Sequence, residues 1–165
     1  MIAGGTGGAN TQTGKIFEIQ TNLRTSLINN GYDIEQFTFI EQCNFNSYLK
    51  KHFKFDMNSK YGTFFKPDEA VIFNDILYVI EKKVQGGGGS VDEKIQTGPF
   101  KLHVYEYCAK LMGLKGVSYA YLLGDYFKKP KFVQYLIPVY LKEQGIPVYF
   151  NTLPLEEFFD FYKKI

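Results

Sequence analysis

The chain has 165 residues, 45 % of them hydrophobic, with 13 Tyr, 16 Phe and no Trp. That length points to one domain over residues 1–165 and that composition to an ordered core, which excludes a disordered or low-complexity protein. A formal net charge of +2 neither demands nor excludes nucleic acid, so an argument about partners has to rest on where the charges lie.

The first residues, Met1-Ile-Ala-Gly-Gly-Thr-Gly-Gly8, lack the basic and apolar regions of a signal peptide, and residues 1–12 read as loop. The apolar runs are too short to span a membrane, and a cytoplasmic location is expected. Cys43 and Cys108 have no Cys-x-x-Cys or Cys/His partner spacing, so they are expected to be free thiols and no zinc site is expected. His52 and His103 are isolated, and no serine or cysteine triad is apparent.

From Thr13 to Asn30 the spacing of Ile16, Gln20, Leu23 and Leu27 predicts a helix, stopped by Asn30-Gly31. A short strand is expected over Phe37 to Ile40 and a short helix over Ser47 to His52, followed by polar loop to Lys66. Ala70 to Phe73 and Ile76 to Val84 have strand character, and the Asn74-Asp75 pair between them tolerates positive φ. Together they predict a β-hairpin with a two-residue loop. Ser90-Val-Asp-Glu93 fits a capping box opening a helix to about Met112, which Gly98-Pro99 should kink or split. Val117 to Leu123 reads as a buried strand, and Pro130 to Gln144 as a helix broken at Pro138. Val148 to Phe150 reads as a short strand and Leu155 to Lys164 as an amphipathic helix. The alternation predicts an α/β domain with a mixed central β-sheet and helices on both faces.

The chemistry-bearing residues lie at the foot of the hairpin. Side chains alternate along a strand, so Glu81 and Lys83 share one face and Lys82 points to the other. With Asn74 and Asp75 as the turn, Phe73 faces Ile76 and Asp68 faces Glu81. Directly opposed residues share a face, with Cβ atoms roughly 4.5–5.5 Å apart. Two carboxylates so placed repel unless a cation lies between them, and hard oxygen ligands favour Mg²⁺. Lys83 would then hold the attacking water and offset charge on a phosphate. A second acidic-basic run, Asp92-Glu93-Lys94, sits where acids complement a helix dipole and reads as a cap.

Pro67-Asp68, twelve residues, then Glu81-Lys82-Lys83 at a strand end resembles the signature of the PD-(D/E)XK nuclease superfamily. Thr13-Gly-Lys-Ile-Phe-Glu18, Ser90-Val-Asp-Glu-Lys-Ile-Gln-Thr97 and Tyr121-Leu-Leu-Gly-Asp-Tyr-Phe-Lys-Lys-Pro130 resemble segments of small type II restriction endonucleases, in the same order. The resemblance implies a restriction-endonuclease-like fold and Mg²⁺-dependent, site-specific cleavage of double-stranded DNA that leaves 5′-phosphates. It carries Asp68 and Glu81 over as metal ligands, Lys83 as the catalytic lysine, and Glu18 as an acid on an early helix beside the metal. Cutting both strands of a palindrome calls for a homodimer. The alternatives are a structure-specific nuclease acting on junctions or in repair, and a non-catalytic DNA-binding domain.

Lys50, Lys51, Lys54, Lys60 and Lys66 form a stretch whose one acid is Asp56, and they could track a phosphate backbone. Lys128-Lys129-Pro130-Lys131 is a second basic cluster, with nothing in the sequence tying it to the hairpin. Arg24 is the one arginine among 19 basic residues, so base reading would lean on Lys, Asn, Gln, Ser, Thr or backbone groups. Gln85, Ser90, Gln96 and Thr97 follow the hairpin and are the candidate contacts. Gly86 to Ser90 has the composition of an engineered flexible linker, and equally suits a loop that lets backbone approach DNA.

Overall fold

The computed structural model describes residues 7–41, 44–85 and 91–160. Its frame is a five-stranded sheet in the order β1-β2-β3-β4-β5, comprising Thr38–Ile40, Glu69–Phe73, Ile76–Lys83, Gly116–Leu123 and Val148–Phe150. The first three strands are antiparallel, and β3, β4 and β5 run parallel, so the sheet is mixed as expected. No helix among the described residues is long and apolar enough to cross a membrane.

The hairpin forms as its sequence dictates. Asn74 and Asp75 take φ values of 50° and 64°, the left-handed pair that a two-residue turn needs to match strand twist. Phe73 then pairs with Ile76, and the ladder runs down to Glu69 opposite Ile80. β3 is the middle strand, and every residue from Ile76 to Lys82 is buried. Its alternate side chains feed two cores. Leu77 and Val79 pack with α3 (Phe45–Phe53), α4 (Met57–Tyr61) and α6 (Gly98–Leu111), through Phe45, Leu49, Met57, Val104, Tyr105 and Cys108. Ile76, Tyr78 and Ile80 pack on the other side with α2 (Leu23–Asn29) and α8 (Leu155–Asp160), through Leu27, Phe158 and Phe159.

Four segments depart from the sequence reading. Helix α1 spans Gly7–Gln20, well into the glycine-rich start expected to be loop, and residues 1–6 lie outside the described residues. Phe17 packs against the second core, and that tertiary contact outweighs the poor propensity of the first turn. The single helix expected over 13–30 is two. Asn22 caps α2 by accepting from the Thr25 amide at 2.9 Å, which ends one helix and starts the next. The expected loop up to Lys66 contains α4, capped by Asp56 and closed by Gly62 at φ 69°. The expected helix over 130–144 is a series of short pieces: a π-type turn over Phe132–Leu136, α7 (Ile137–Tyr140) and a 3₁₀ turn over Lys142–Gln144. Pro138 has no amide to give the helical ladder, and the wide turn just ahead of it absorbs that loss.

The split before α6 occurs where Gly98-Pro99 predicts it, between α5 (Val91–Gln96) and α6. Gly98 is needed here for space. A Cβ at this position would lie 2.8 Å from Leu141 Cδ2 and 3.2 Å from Tyr121 Cε2, so glycine lets α6 begin hard against β4. Ser90, the expected cap of α5, lies outside the described residues, as does the rest of the run 86–90.

Candidate active site at the foot of the hairpin

Beyond the Glu69–Ile80 pair the strands part, and Asp68 enters a bend. Its side chain continues the ladder in place of the backbone: the Lys82 amide donates to Asp68 Oδ2 at 2.6 Å. This bond seats the Asp68 carboxylate against β3 and aligns it with Glu81, the residue it would face if the ladder went on. Lys83 Nζ lies between the two, 3.4 Å from Asp68 Oδ2 and 3.3 Å from Glu81 Oε1, and donates to the Lys82 carbonyl at 2.9 Å. Three oxygens thus converge on one ammonium. The side chains are enclosed, with Asp68 15 %, Glu81 6 % and Lys83 18 % exposed.

Strand alternation separates the two neighbouring lysines. Lys82 points through the opposite face, where Nζ donates to Glu69 Oε1 at 2.7 Å and to the Thr21 carbonyl at 2.9 Å. The Leu23 amide also donates to Glu69 Oε1, at 3.2 Å, tying the start of α2 to β2. Lys82 is 4 % exposed and satisfied within the fold, and belongs to its frame.

Sequence reasoning missed Lys101. It lies on α6, twenty residues after Glu81, and its Nζ donates to Glu81 Oε1 at 2.5 Å. No local motif flags it; only the packing of α6 across β3 and β4 brings it in. The other carboxylate oxygen, Glu81 Oε2, is buried and has no hydrogen-bond partner among the described residues. In the parallel ladder Glu81 lies beside Tyr121. The phenols of Tyr105, Tyr119 and Tyr121 all have their pKa pushed upward, first by burial, with the negative charge of Glu81 adding to it.

A cleft of about 610 Å³ opens over Glu81, Lys83 and Lys101, and is walled by Gly14, Phe17 and Glu18 of α1. Asp68 borders an adjoining cleft of about 320 Å³, lined also by Arg24 and Glu69, and Glu18 and Lys82 line both clefts. Glu18 therefore lies over the site but is not joined to Asp68 and Glu81: among the described residues no three Asp, Glu, His or Cys side chains form a metal-binding group. The oxygen donors that do converge are two carboxylates and the Lys82 carbonyl.

The proposed DNA contacts divide. Gln85 and Thr97 line the larger cleft with Lys94, while Gln96 is exposed at the end of α5, and Ser90 lies outside the described residues. Lys50 is paired with Asp56 at 2.8 Å, and this bond helps hold the Asp56 carboxyl down at about 2. Lys51 and Lys54 are exposed, and Lys60 lies over the Tyr107 ring at 3.5 Å. Of the second cluster, Lys128 pairs with Asp125 and Lys129 lies over the Tyr126 ring. No protein-family model, curated protein or solved structure matches the chain.

Proposed function

We propose that this protein is a divalent-metal-dependent endonuclease that hydrolyses phosphodiester bonds of double-stranded DNA. The observation that carries this reading is the convergence of Asp68, Glu81 and the Lys82 carbonyl on Lys83 Nζ at the foot of one hairpin. Oxygens gathered around an ammonium form a site with the charge and ligand type of a hard cation. The donor set contains no His or Cys and so fits Mg²⁺ and not zinc. The resemblance of Asp68, Glu81 and Lys83 to the PD-(D/E)XK signature supports the same assignment.

Asp68, Glu81 and the Lys82 carbonyl would hold the ion, with Glu18 reaching it through solvent from across the cleft. When bound, Mg²⁺ supplies Lewis-acid stabilisation of charge on the scissile phosphate and its leaving oxygen. Lys83, released from the carboxylates, orients a water for in-line attack on phosphorus. The water oxygen would bond to phosphorus as the P–O3′ bond breaks, the water giving a proton to solvent and the leaving 3′ oxygen taking one from solvent, so that the phosphate stays on the 5′ side. Lys101 holds Glu81 from α6 and places a second positive charge at the cleft wall. Gln85 and Thr97 line the approach to the phosphate, and the exposed Lys51 and Lys54 offer backbone contacts further out. Cutting both strands at one sequence uses two such sites, hence a homodimer.

Plasmid cleavage with and without Mg²⁺ tests the reading. Discrete fragments with Mg²⁺, none with EDTA and none from Lys83→Ala are expected. Cleavage limited to branched DNA selects a structure-specific nuclease on the same site. Full activity from Lys83→Ala, or no cleavage of any DNA by folded wild-type protein, overturns it.

A further inference from the structure

Glu81 stands at the edge of an unusual concentration of buried polar atoms. Tyr121 is its neighbour in the parallel ladder, Tyr119 lies two residues back on the same face, and Tyr105 covers them from α6. The rings are in contact, with centroids 5.5 Å apart for Tyr105–Tyr119 and for Tyr119–Tyr121. All three hydroxyls are buried without a strict hydrogen bond among the described residues, although the Tyr121 hydroxyl lies within interacting range of the Tyr119 and Thr97 side chains. Glu81 Oε2 is in the same condition. Burying a hydroxyl or carboxylate oxygen without a partner is costly, and native interiors leave few such atoms. Four of them along one stretch of sheet, three able to donate and one able only to accept, make a set that water can satisfy. A buried water needs two to four polar partners, which these hydroxyls and the carboxylate oxygen have the chemistry to be. Phenylalanine in place of each tyrosine would fill the same volume with no polar atom, so the hydroxyls are the feature that calls for an explanation.

We propose that Tyr105, Tyr119 and Tyr121 enclose an internal hydration site whose ordered water hydrogen-bonds Glu81 Oε2 and fixes the carboxylate for cation binding. The tyrosines are positioning residues: they act through Glu81 and do not touch the phosphate. Lys101 holds Oε1 from the cleft side while the hydrated phenols hold Oε2 from beneath, so the carboxylate plane is set from both ends. Partners of this kind behind a metal ligand typically change metal affinity by about 10–100-fold when removed. The inference rests on the metal-site reading of Glu81, and its test keeps the two apart.

The experiment measures Mn²⁺ binding, read as loss of the free-ion paramagnetic resonance signal, for wild type, Tyr121→Phe, Tyr105→Phe, Tyr119→Phe and Glu81→Gln. Each is paired with a thermal melt in EDTA and a high-resolution crystal structure of the wild-type protein. The expected result is a loss of Mn²⁺ affinity of about tenfold or more in at least Tyr121→Phe, with unfolding temperatures unchanged. A water within hydrogen-bond reach of Glu81 Oε2 and a tyrosine hydroxyl is expected in the crystal. If Glu81→Gln loses Mn²⁺ but all three Phe variants bind like wild type, the hydration role is wrong and the metal site stands. If the Phe variants are also more stable, the hydroxyls are merely unsatisfied. If wild type and Glu81→Gln bind Mn²⁺ alike, the metal reading itself falls, and this inference with it.

Discussion

Replacing Lys82 with Met separates the fold from the chemistry by a single residue step. Lys82 Nζ is bound to Glu69 and to the Thr21 carbonyl, and its side chain is 4 % exposed against 17 % for Glu69. Removing one partner of a buried ion pair typically costs about 3–5 kcal/mol, because the other charge remains in the interior. Glu69 keeps the Leu23 amide and some water, which places the cost at the lower end, about 3 kcal/mol. For a domain of this size each kcal/mol shifts the midpoint by about 2–4 °C, so the melt should move down by about 6–12 °C. Circular dichroism melts in EDTA measure it. Below the transition, DNA cleavage should stay near wild type, since the Lys82 side chain lies across the sheet from Lys83. Adding Glu69→Leu to Lys82→Met removes the stranded charge and should recover most of the loss. An unshifted melt for Lys82→Met, or a double variant less stable than the single, would refute the burial argument.

Glu81→Gln keeps the shape and removes the charge facing Lys83 and Lys101; cleavage should fall by at least about 100-fold, as loss of a preorganised electrostatic group does. Gly98→Ala sets a methyl 2.8 Å from Leu141 Cδ2, and urea unfolding should show a loss of about 1–3 kcal/mol from overpacking. The Asp56 carboxyl, held down chiefly by Lys50 and then Asn46, titrates near 2 in the fold against 3.8 free. Its contribution to stability is present above pH 4 and is lost as pH falls from 3.8 towards 2, which carboxyl chemical shifts in wild type and Lys50→Met can follow. Burial pushes the Cys108 thiol up to about 12, so site-resolved alkylation at pH 8 should spare Cys108 in the native protein and reach it on unfolding.

The hairpin was the most legible part of the chain, because register and face follow from the Asn74-Asp75 turn and a period of two. Those rules alone place Glu81 and Lys83 together and send Lys82 away. The same logic put Asp68 beside Glu81, although Asp68 joins the ladder through its side chain and not its backbone. Lys101 was illegible because its place depends on how α6 crosses the sheet, a long-range packing outcome. The tyrosines of β4 read as core residues, and only the parallel register with β3 shows that they flank a carboxylate. The interruption at Asn22 was missed because the apolar spacing continues through it, while the decisive signal is a side-chain cap. The lysine stretch is a weaker footprint than its composition suggests, since Lys50 is neutralised by Asp56 and Lys60 lies against Tyr107.

The two faces of β3 handle positive charge differently, and the difference decides what each face is for. On one side Lys82 has short bonds to a carboxylate and a carbonyl, so its ammonium is a permanent part of the interior. On the other, Lys83 spans Asp68 and Glu81 at 3.3–3.4 Å, beside an open cleft, with only its bond to the Lys82 carbonyl short. Longer contacts next to solvent are weak ones, and a flexible lysine stem can give them up when a stronger cation arrives. On the proposed metal-site reading, the empty site need not leave two bare carboxylates facing each other, because Lys83 would offset their charge until an ion displaced it. That predicts a stability linkage: Lys83→Ala should melt lower than wild type in EDTA and regain most of the difference in saturating Mg²⁺, as ligand binding to the native state requires. If Mg²⁺ stabilises wild type and Lys83→Ala equally, the lysine does not compete with the ion and its place between the carboxylates has another cause.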